Sequence, residues 1–341
     1  MELNPLLQAS YHYDLPEYLI AKFPSNPKDH SKLLVYDRKK DFITHTKFYN
    51  IESFLPKDLA IILNDTKVIK ARIFGQKSSG GKIELLLNSP LQDNRFSAYI
   101  KGRVKKDSTI FFQKGLCAKV EELKDDGLRV VSFFLDENRV KIDKLYSLLE
   151  EIGHTPLPPY INRSDNEEDI VNYQTLFASK EGAVAAPTAS LHFTKELLDS
   201  IKSKFQTSFI TLHVGAGTFK PVEANNINDH VMHFERFEIS QTSKDIISSN
   251  KPILAVGTTA TRAVEHYTRT GKMQGSSNLF LHPQNPPQRV SHLLTNFHLP
   301  CSTLIMLVAS FIGVEKTLEI YHEAISKEYR FYSYGDAMLI L

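Results

Sequence analysis

The chain has 341 residues, 42% of them apolar and 23% charged, and a formal net charge of +2. That length accommodates two domains or one large domain with an insertion, and that composition supports a substantial core in a soluble protein. The two cysteines, Cys117 and Cys301, form no CxxC pair, which excludes a disulfide scaffold and a cysteine-based zinc site and suits a reducing cytosol.

The stretch Met1 to Pro5 lacks a basic region followed by an apolar core, so no secretory leader is expected. The longest apolar run, Leu304 to Val314, is much shorter than the ~20 residues that span a bilayer. It reads as a buried core helix. A cytoplasmic monomer with no membrane association is expected.

From residue 59 onward the chain reads as consecutive short strands, at 59–63, 68–74, 82–87, 96–100, 109–112, 116–123 and 128–135. Turn signals such as Gly80-Gly81, Asp93-Asn94 and Asp125-Asp126-Gly127 separate them. Strands without intervening helices predict a small β-barrel or sandwich. A helix at 143–151 closes the region, Pro156 to Pro159 forms a stiff connector, and 163–169 reads as a polar loop.

Beyond it the rhythm alternates. Thr194 can cap a helix reaching about residue 205, followed by a strand at 209–214. A strand at 253–256 leads through Gly257-Thr-Thr259 into a helix over 261–268. Ser302 can cap an apolar helix at 303–312, a second helix covers 315–328, and residues 329–341 read as a terminal β-hairpin turning at Gly335-Asp336. The fold class expected is α/β: a larger α/β domain with a partly parallel sheet, residues 1–64 and 152–341, interrupted by an inserted all-β barrel-like domain, residues 65–151.

Charge is segregated along this plan. Between Lys67 and Lys106 lie ten basic residues against two acidic ones, a local +8 that leaves −6 for the rest. Such segregation marks a phosphate-binding surface, with Lys101, Arg103, Lys105 and Lys106 as its sharpest part. A solvated lysine-rich face would give the same pattern.

Polar residues concentrate in several further segments. Gly182 to Thr194 is a small-residue loop carrying Thr188 and delivering His192 to a helix start, where a backbone can approach a ligand closely or simply turn. Thr211 to Phe219 brings His213 out of a strand into the Gly215-Ala-Gly217 turn. His230-Val-Met-His233-Phe-Glu235 offers two imidazoles and a carboxylate. That suggests a metal cluster, but no further ligand motif completes it, so His233 and Glu235 read as proton-transfer residues without metal.

Thr258 and Thr259 stand at a helix start. Three residues separate Arg262 from Glu265, which suits either a surface ion pair or a guanidinium free to hold a carboxylate. Asn296 and His298 precede the apolar helix. Asp65 and Asp336 sit in turns that they could simply cap.

Taken in order, Tyr13-Asp-Leu-Pro16, Leu63-Asn-Asp-Thr-Lys-Val68, Gly81-Lys-Ile-Glu-Leu85, Leu157-Pro-Pro-Tyr-Ile161, Tyr173-Gln-Thr175, Gly182 to Thr194, Thr211 to Phe219, His230 to Glu235, Gly257 to Thr259, Leu294 to Pro300 and Tyr329 to Ile340 closely resemble the S-adenosylmethionine:tRNA ribosyltransferase-isomerase family of the queuosine pathway. Three places depart from that pattern. Pro283 to Gln288 replaces a stretch usually rich in glycine and aromatics, Ala260 stands where serine is common, and no tryptophan follows Leu87.

The resemblance implies an α/β domain interrupted by a β-barrel-like one. It also implies S-adenosylmethionine as a consumed co-substrate, no separate cofactor and no metal. Its partner would be tRNA carrying 7-aminomethyl-7-deazaguanine at the wobble position, and its products epoxyqueuosine-tRNA, adenine and methionine. On that basis His192, His213, His233, Glu235, His298, Asp65 and Asp336 form the candidate catalytic set. Thr188, Gly215, Gly217, Thr258, Thr259, Arg262 and Asn296 are the candidate substrate contacts.

Overall fold

A computed structural model describes residues 3–219 and 222–341; Met1 and Glu2, where the leader reading begins, lie outside the described residues. Nine strands form the main sheet, in the order Gln274–Ser277, Glu235–Ile239, Gln206–Leu212, Ala60–Asn64, Ile253–Val256, His292–Asn296, Ala337–Ile340, Lys32–Asp37, Phe42–Lys47. The four strands from Gln206–Leu212 to His292–Asn296 run parallel, and antiparallel pairings dominate toward both edges.

The central strands are apolar on both faces because both faces are covered. Ile61, Leu63, Leu254 and Val256 pack with Phe193, Leu197 and Ile201 around the helix Lys195–Lys204. Their neighbours Ala60, Ile62, Ile253 and Ala255 pack with Ala263 and Val264 of the helix Thr258–Thr270. The helices Thr303–Ile312 and Val314–Ser326 cover Leu34, Leu293 and Met338 farther along the sheet. Thr194 and Ser302 cap their helices as the sequence predicts, each accepting from the backbone N–H three residues on.

The inserted barrel is real and closed. Strands Arg72–Lys77, Lys82–Pro90, Arg95–Lys101, Arg129–Leu135, Cys117–Leu123 and Thr109–Phe111 pair antiparallel in a ring, the last returning to the first. Closure leaves the ring without a free edge. The amphipathic helix Ile142–Ile152 presses Leu145, Leu148 and Leu149 into the barrel's core. Among the described residues no helix is long and apolar enough to cross a membrane.

Four local readings are corrected. The expected strand at 68–74 is two: Thr66–Val68 pairs with Lys180–Ala183 outside the barrel, and Arg72–Lys77 belongs to the ring. Residues 163–169 are not wholly a loop, because Asn166 and Asp169 form a capping box that starts the helix Glu167–Asn172. The terminal hairpin does not form. Ala337–Ile340 instead pairs with Lys32–Asp37 and His292–Asn296, and residues 330–336 are knotted by Asp336, whose carboxylate accepts from the backbone N–H groups of Lys32 and Arg330. Arg262 and Glu265 make no ion pair with each other: Glu265 accepts three backbone N–H bonds from Gln288, Arg289 and Val290, and Arg262 turns to Glu235.

Candidate active site

The carboxyl ends of the four parallel strands converge on one cavity, the place where open α/β sheets bind ligands. Asn64 ends one strand, and its amide nitrogen donates both to the Leu212 carbonyl and to Thr259 Oγ1, tying three strand ends together. Gly257 turns at φ +92°, a conformation glycine adopts without penalty, and the Thr258–Thr270 helix starts there with both threonines facing the cavity. Thr188 and Ala189 supply one wall and Asn296 and His298 another, around a cavity of about 80 Å³.

Among the described residues the lining carries no Asp, Glu, Lys or Arg. Its polar groups are hydroxyls, the Asn296 amide and the imidazole of His298. Burial pushes that imidazole down to about 3, so it is neutral, and its Nε2 lies 2.7 Å from Thr295 Oγ1. Three tyrosines, Tyr160, Tyr173 and Tyr332, add aromatic faces, with the Tyr160 and Tyr332 rings 4.5 Å apart. Sequence reasoning passed over these tyrosines. All three lie in motifs already singled out, Leu157-Pro-Pro-Tyr-Ile161, Tyr173-Gln-Thr175 and Tyr329 to Ile340, where only the order of the motifs and not these rings drew attention.

His192 stands behind the wall rather than in it. Its Nε2 accepts from the Asn296 amide nitrogen at 3.1 Å and its Nδ1 lies 2.9 Å from Ser31 Oγ, while Phe48 stacks on the ring. Burial, then Arg330 and Lys28, push it down to about 3. The neutral ring fixes the amide, whose oxygen accepts from Thr188 Oγ1 at 3.0 Å. A four-residue chain thus runs from Ser31 to the cavity surface.

A second cluster adjoins the first at Thr218 and Leu304, which line both spaces. Glu235 is fully buried there. It pairs with Arg262, accepts from Gly215 N and Thr218 Oγ1 at 3.2 Å each, and lies 3.3 Å from His233 Nε2. Burial alone would raise its pKa, but the guanidinium, His233 and the Gly215 N–H outweigh that and hold it at about 2. Gly217 packs on the His233 ring so closely that a Cβ would come within 2.7 Å of Cγ. His230 does not line this space, but its ring packs edge-on against Phe280, which does.

Other candidates lie apart from both spaces. His213 bonds through Nδ1 to Thr66 Oγ1 at 2.8 Å and backs onto Gly182. Asp65 accepts from Thr211 and Ser179 hydroxyls, and Asp336 holds the 330–336 loop. Lys101, Arg103, Lys105 and Lys106 are exposed on the barrel, in and after the strand Arg95–Lys101. Elsewhere in the +8 stretch, Lys67, Lys70, Arg72 and Arg95 are paired with carboxylates. Lys101, Arg103, Lys105 and Lys106 have no carboxylate within ion-pair distance among the described residues. Asn88 of the barrel accepts from Ala216 N, so the glycine turn joins the two parts of the chain.

A family model described as a queuosine biosynthesis protein matches residues 8–340. Over 339 residues the chain is 61% identical to S-adenosylmethionine:tRNA ribosyltransferase-isomerase from Nitratiruptor sp., covering 99% of this chain and 100% of that one. The enzyme of the same name from Sulfurimonas denitrificans is 56% identical over 342 residues, with 100% of both chains covered. The crystal structure of S-adenosylmethionine tRNA ribosyltransferase from Thermotoga maritima is similar at a TM-score of 0.53 and 31% identity, covering 97% of this chain and 100% of that one. The chain belongs to the queuosine biosynthesis protein family.

Proposed function

We propose that this enzyme transfers and isomerises the ribosyl moiety of S-adenosylmethionine onto 7-aminomethyl-7-deazaguanine at the tRNA wobble position, giving epoxyqueuosine-tRNA, adenine and methionine. The observation that carries the reading is end-to-end similarity, at 61% identity, to a ribosyltransferase-isomerase. S-adenosylmethionine is consumed as a co-substrate, no separate cofactor takes part, and the enzyme works as a cytoplasmic monomer.

The geometry supports the reading. A cavity with tyrosine faces and hydroxyls, and no charged side chain among the described residues, suits an adenosyl group whose only charge there is a sulfonium, which aromatic faces attract. Thr188, Thr258, Thr259 and Asn296 would meet its polar edges. The attacking aminomethyl group, with a pKa near that of lysine, roughly 10, must first lose a proton, and departing adenine must gain one.

His192 and His298, held neutral by burial, suit hydrogen bonding. His233, partly exposed beside Glu235, suits proton transfer. His213, Asp65 and Asp336 would then position the loops that frame the site. Residues 1–64 and 152–341 form the catalytic body of this reading, and 65–151 the tRNA-contacting insertion. Incubation with S-adenosylmethionine and precursor-bearing tRNA is expected to release adenine and methionine only when both substrates are present. Methylated tRNA with S-adenosylhomocysteine as by-product would overturn the assignment.

A further inference from the structure

Arg262 is a deeply enclosed cation beside the site, its side chain only 6% exposed. Its Nη1 is taken by Glu235 and its Nε donates to the Leu279 carbonyl at 3.1 Å. Its Nη2 is buried with no hydrogen-bond partner among the described residues. Guanidinium donors taken out of water are costly unless matched, so a buried free edge marks a place where an acceptor belongs.

Arg262 lines a narrow recess of about 10 Å³, room for about one ligand oxygen, together with Thr218, Met232, His233, Leu304 and Leu307. Thr218 and Leu304 also line the main cavity, so the two spaces adjoin at these side chains. The walls between are mainly apolar, as a chain of methylenes requires. One guanidinium can serve two carboxylates, because its five N–H groups point along different edges.

We infer that this small cavity is a carboxylate subsite, in which Arg262 Nη2 holds the α-carboxylate of the amino-acid tail of S-adenosylmethionine. The inference rests on the proposed function and adds to it the place and partner of the tail. Adenosyl group and sulfonium stay in the main cavity, and the tail passes Thr218 and Leu304. Glu235 is then a positioning residue that turns the guanidinium so that its free edge faces the ligand.

The test is made first on the unaltered protein, by calorimetric titration with S-adenosylmethionine and with its decarboxylated analogue, which keeps the adenosyl, sulfonium and amine. The analogue is expected to bind at least tenfold more weakly. Equal affinity within twofold overturns the subsite, and adenine release in the same preparation would show that the parent reading survives. No binding of S-adenosylmethionine at all, with no adenine released, overturns both.

Arg262→Lys keeps a cation beside Glu235 and removes Nη2. It is expected to weaken S-adenosylmethionine alone and erase the discrimination. A folded Arg262→Lys protein that still discriminates places the carboxylate elsewhere and overturns the inference. If that variant does not fold, the two ligands on the unaltered protein decide the matter.

Discussion

Glu235 and Arg262 form an ion pair with both side chains inside the protein, 0% and 6% exposed. Removing one partner of such a pair strands the other charge, which typically costs about 3–5 kcal/mol. Glu235→Gln is therefore expected to lower stability by that order at pH 7, read as a shift in urea midpoint. The folded carboxyl sits at about 2 against an ordinary 4.5, so its contribution is present above about pH 4.5 and disappears as pH falls toward 2. It amounts to roughly 3 kcal/mol at 1.36 kcal/mol per pH unit. An acid unfolding curve identical in the Gln variant would show that the pair does not carry this dependence.

Two histidines impose a second, distinct acid sensitivity. Burial holds His192 and His298 at about 3, below the 6.5 of a free imidazole. The unfolded chain takes up protons that the folded one refuses, so stability is complete above pH 6.5 and declines as pH falls from there toward 3. Each contributes a slope of about 1.4 kcal/mol per pH unit within that window. His192→Gln, which keeps a polar group near Ser31 and Asn296, should remove one histidine's share of the slope between pH 6.5 and 5. An unchanged slope would mean that His192 is solvated and titrates normally.

The local rules account for what the sequence made legible. Helices with caps and an apolar face, at 194–204 and 302–312, lie where Thr194 and Ser302 put them, and the barrel strands are near their expected positions because turn residues separate them. Local rules could not decide the partner of Ala337–Ile340. A hairpin and a sheet insertion share one apolar run, and Asp336, bonded to Lys32 from 304 residues away, is what selects the second.

The site shows the same division. Thr188, Thr258, Thr259, Asn296 and His298 come together because each follows a strand end or a loop motif visible in sequence. The Glu235–Arg262 pairing was hidden, since Glu265 is the nearer carboxylate in the chain and the fold uses it to pin residues 288–290.

The barrel's basic turn gives a prediction about RNA. Lys101, Arg103, Lys105 and Lys106 are exposed and free of carboxylate partners among the described residues, as groups that bind phosphate must be. Replacing all four with Ala should weaken tRNA binding and reduce its log–log salt slope by about 0.7–0.9 for each phosphate no longer neutralised. Affinity for S-adenosylmethionine should stay the same. A slope that does not move would mean that these side chains serve only solubility.

His233 is where positioning and proton transfer can be separated. Its side chain is 27% exposed, its Nε2 is 3.3 Å from Glu235 Oε1, and it lines the small cavity beside the site. A proton-transfer residue typically contributes ~10²–10⁴-fold, so His233→Ala should lower turnover on the order of 10²-fold. It should leave the fold intact and lower the urea midpoint less than Glu235→Gln does, because Arg262 and the Gly215 N–H still hold Glu235. Gly217→Ala offers an independent approach, since the new Cβ would lie 2.7 Å from His233 Cγ and must displace the ring. It should lower turnover in the same direction, and adding it to His233→Ala should cost little more, because both changes remove one function. Fully additive losses would mean that Gly217 acts through the backbone of the turn instead. Near-full activity in His233→Ala would make the imidazole structural and leave the substrate's own groups, with the cavity hydroxyls, to move the protons.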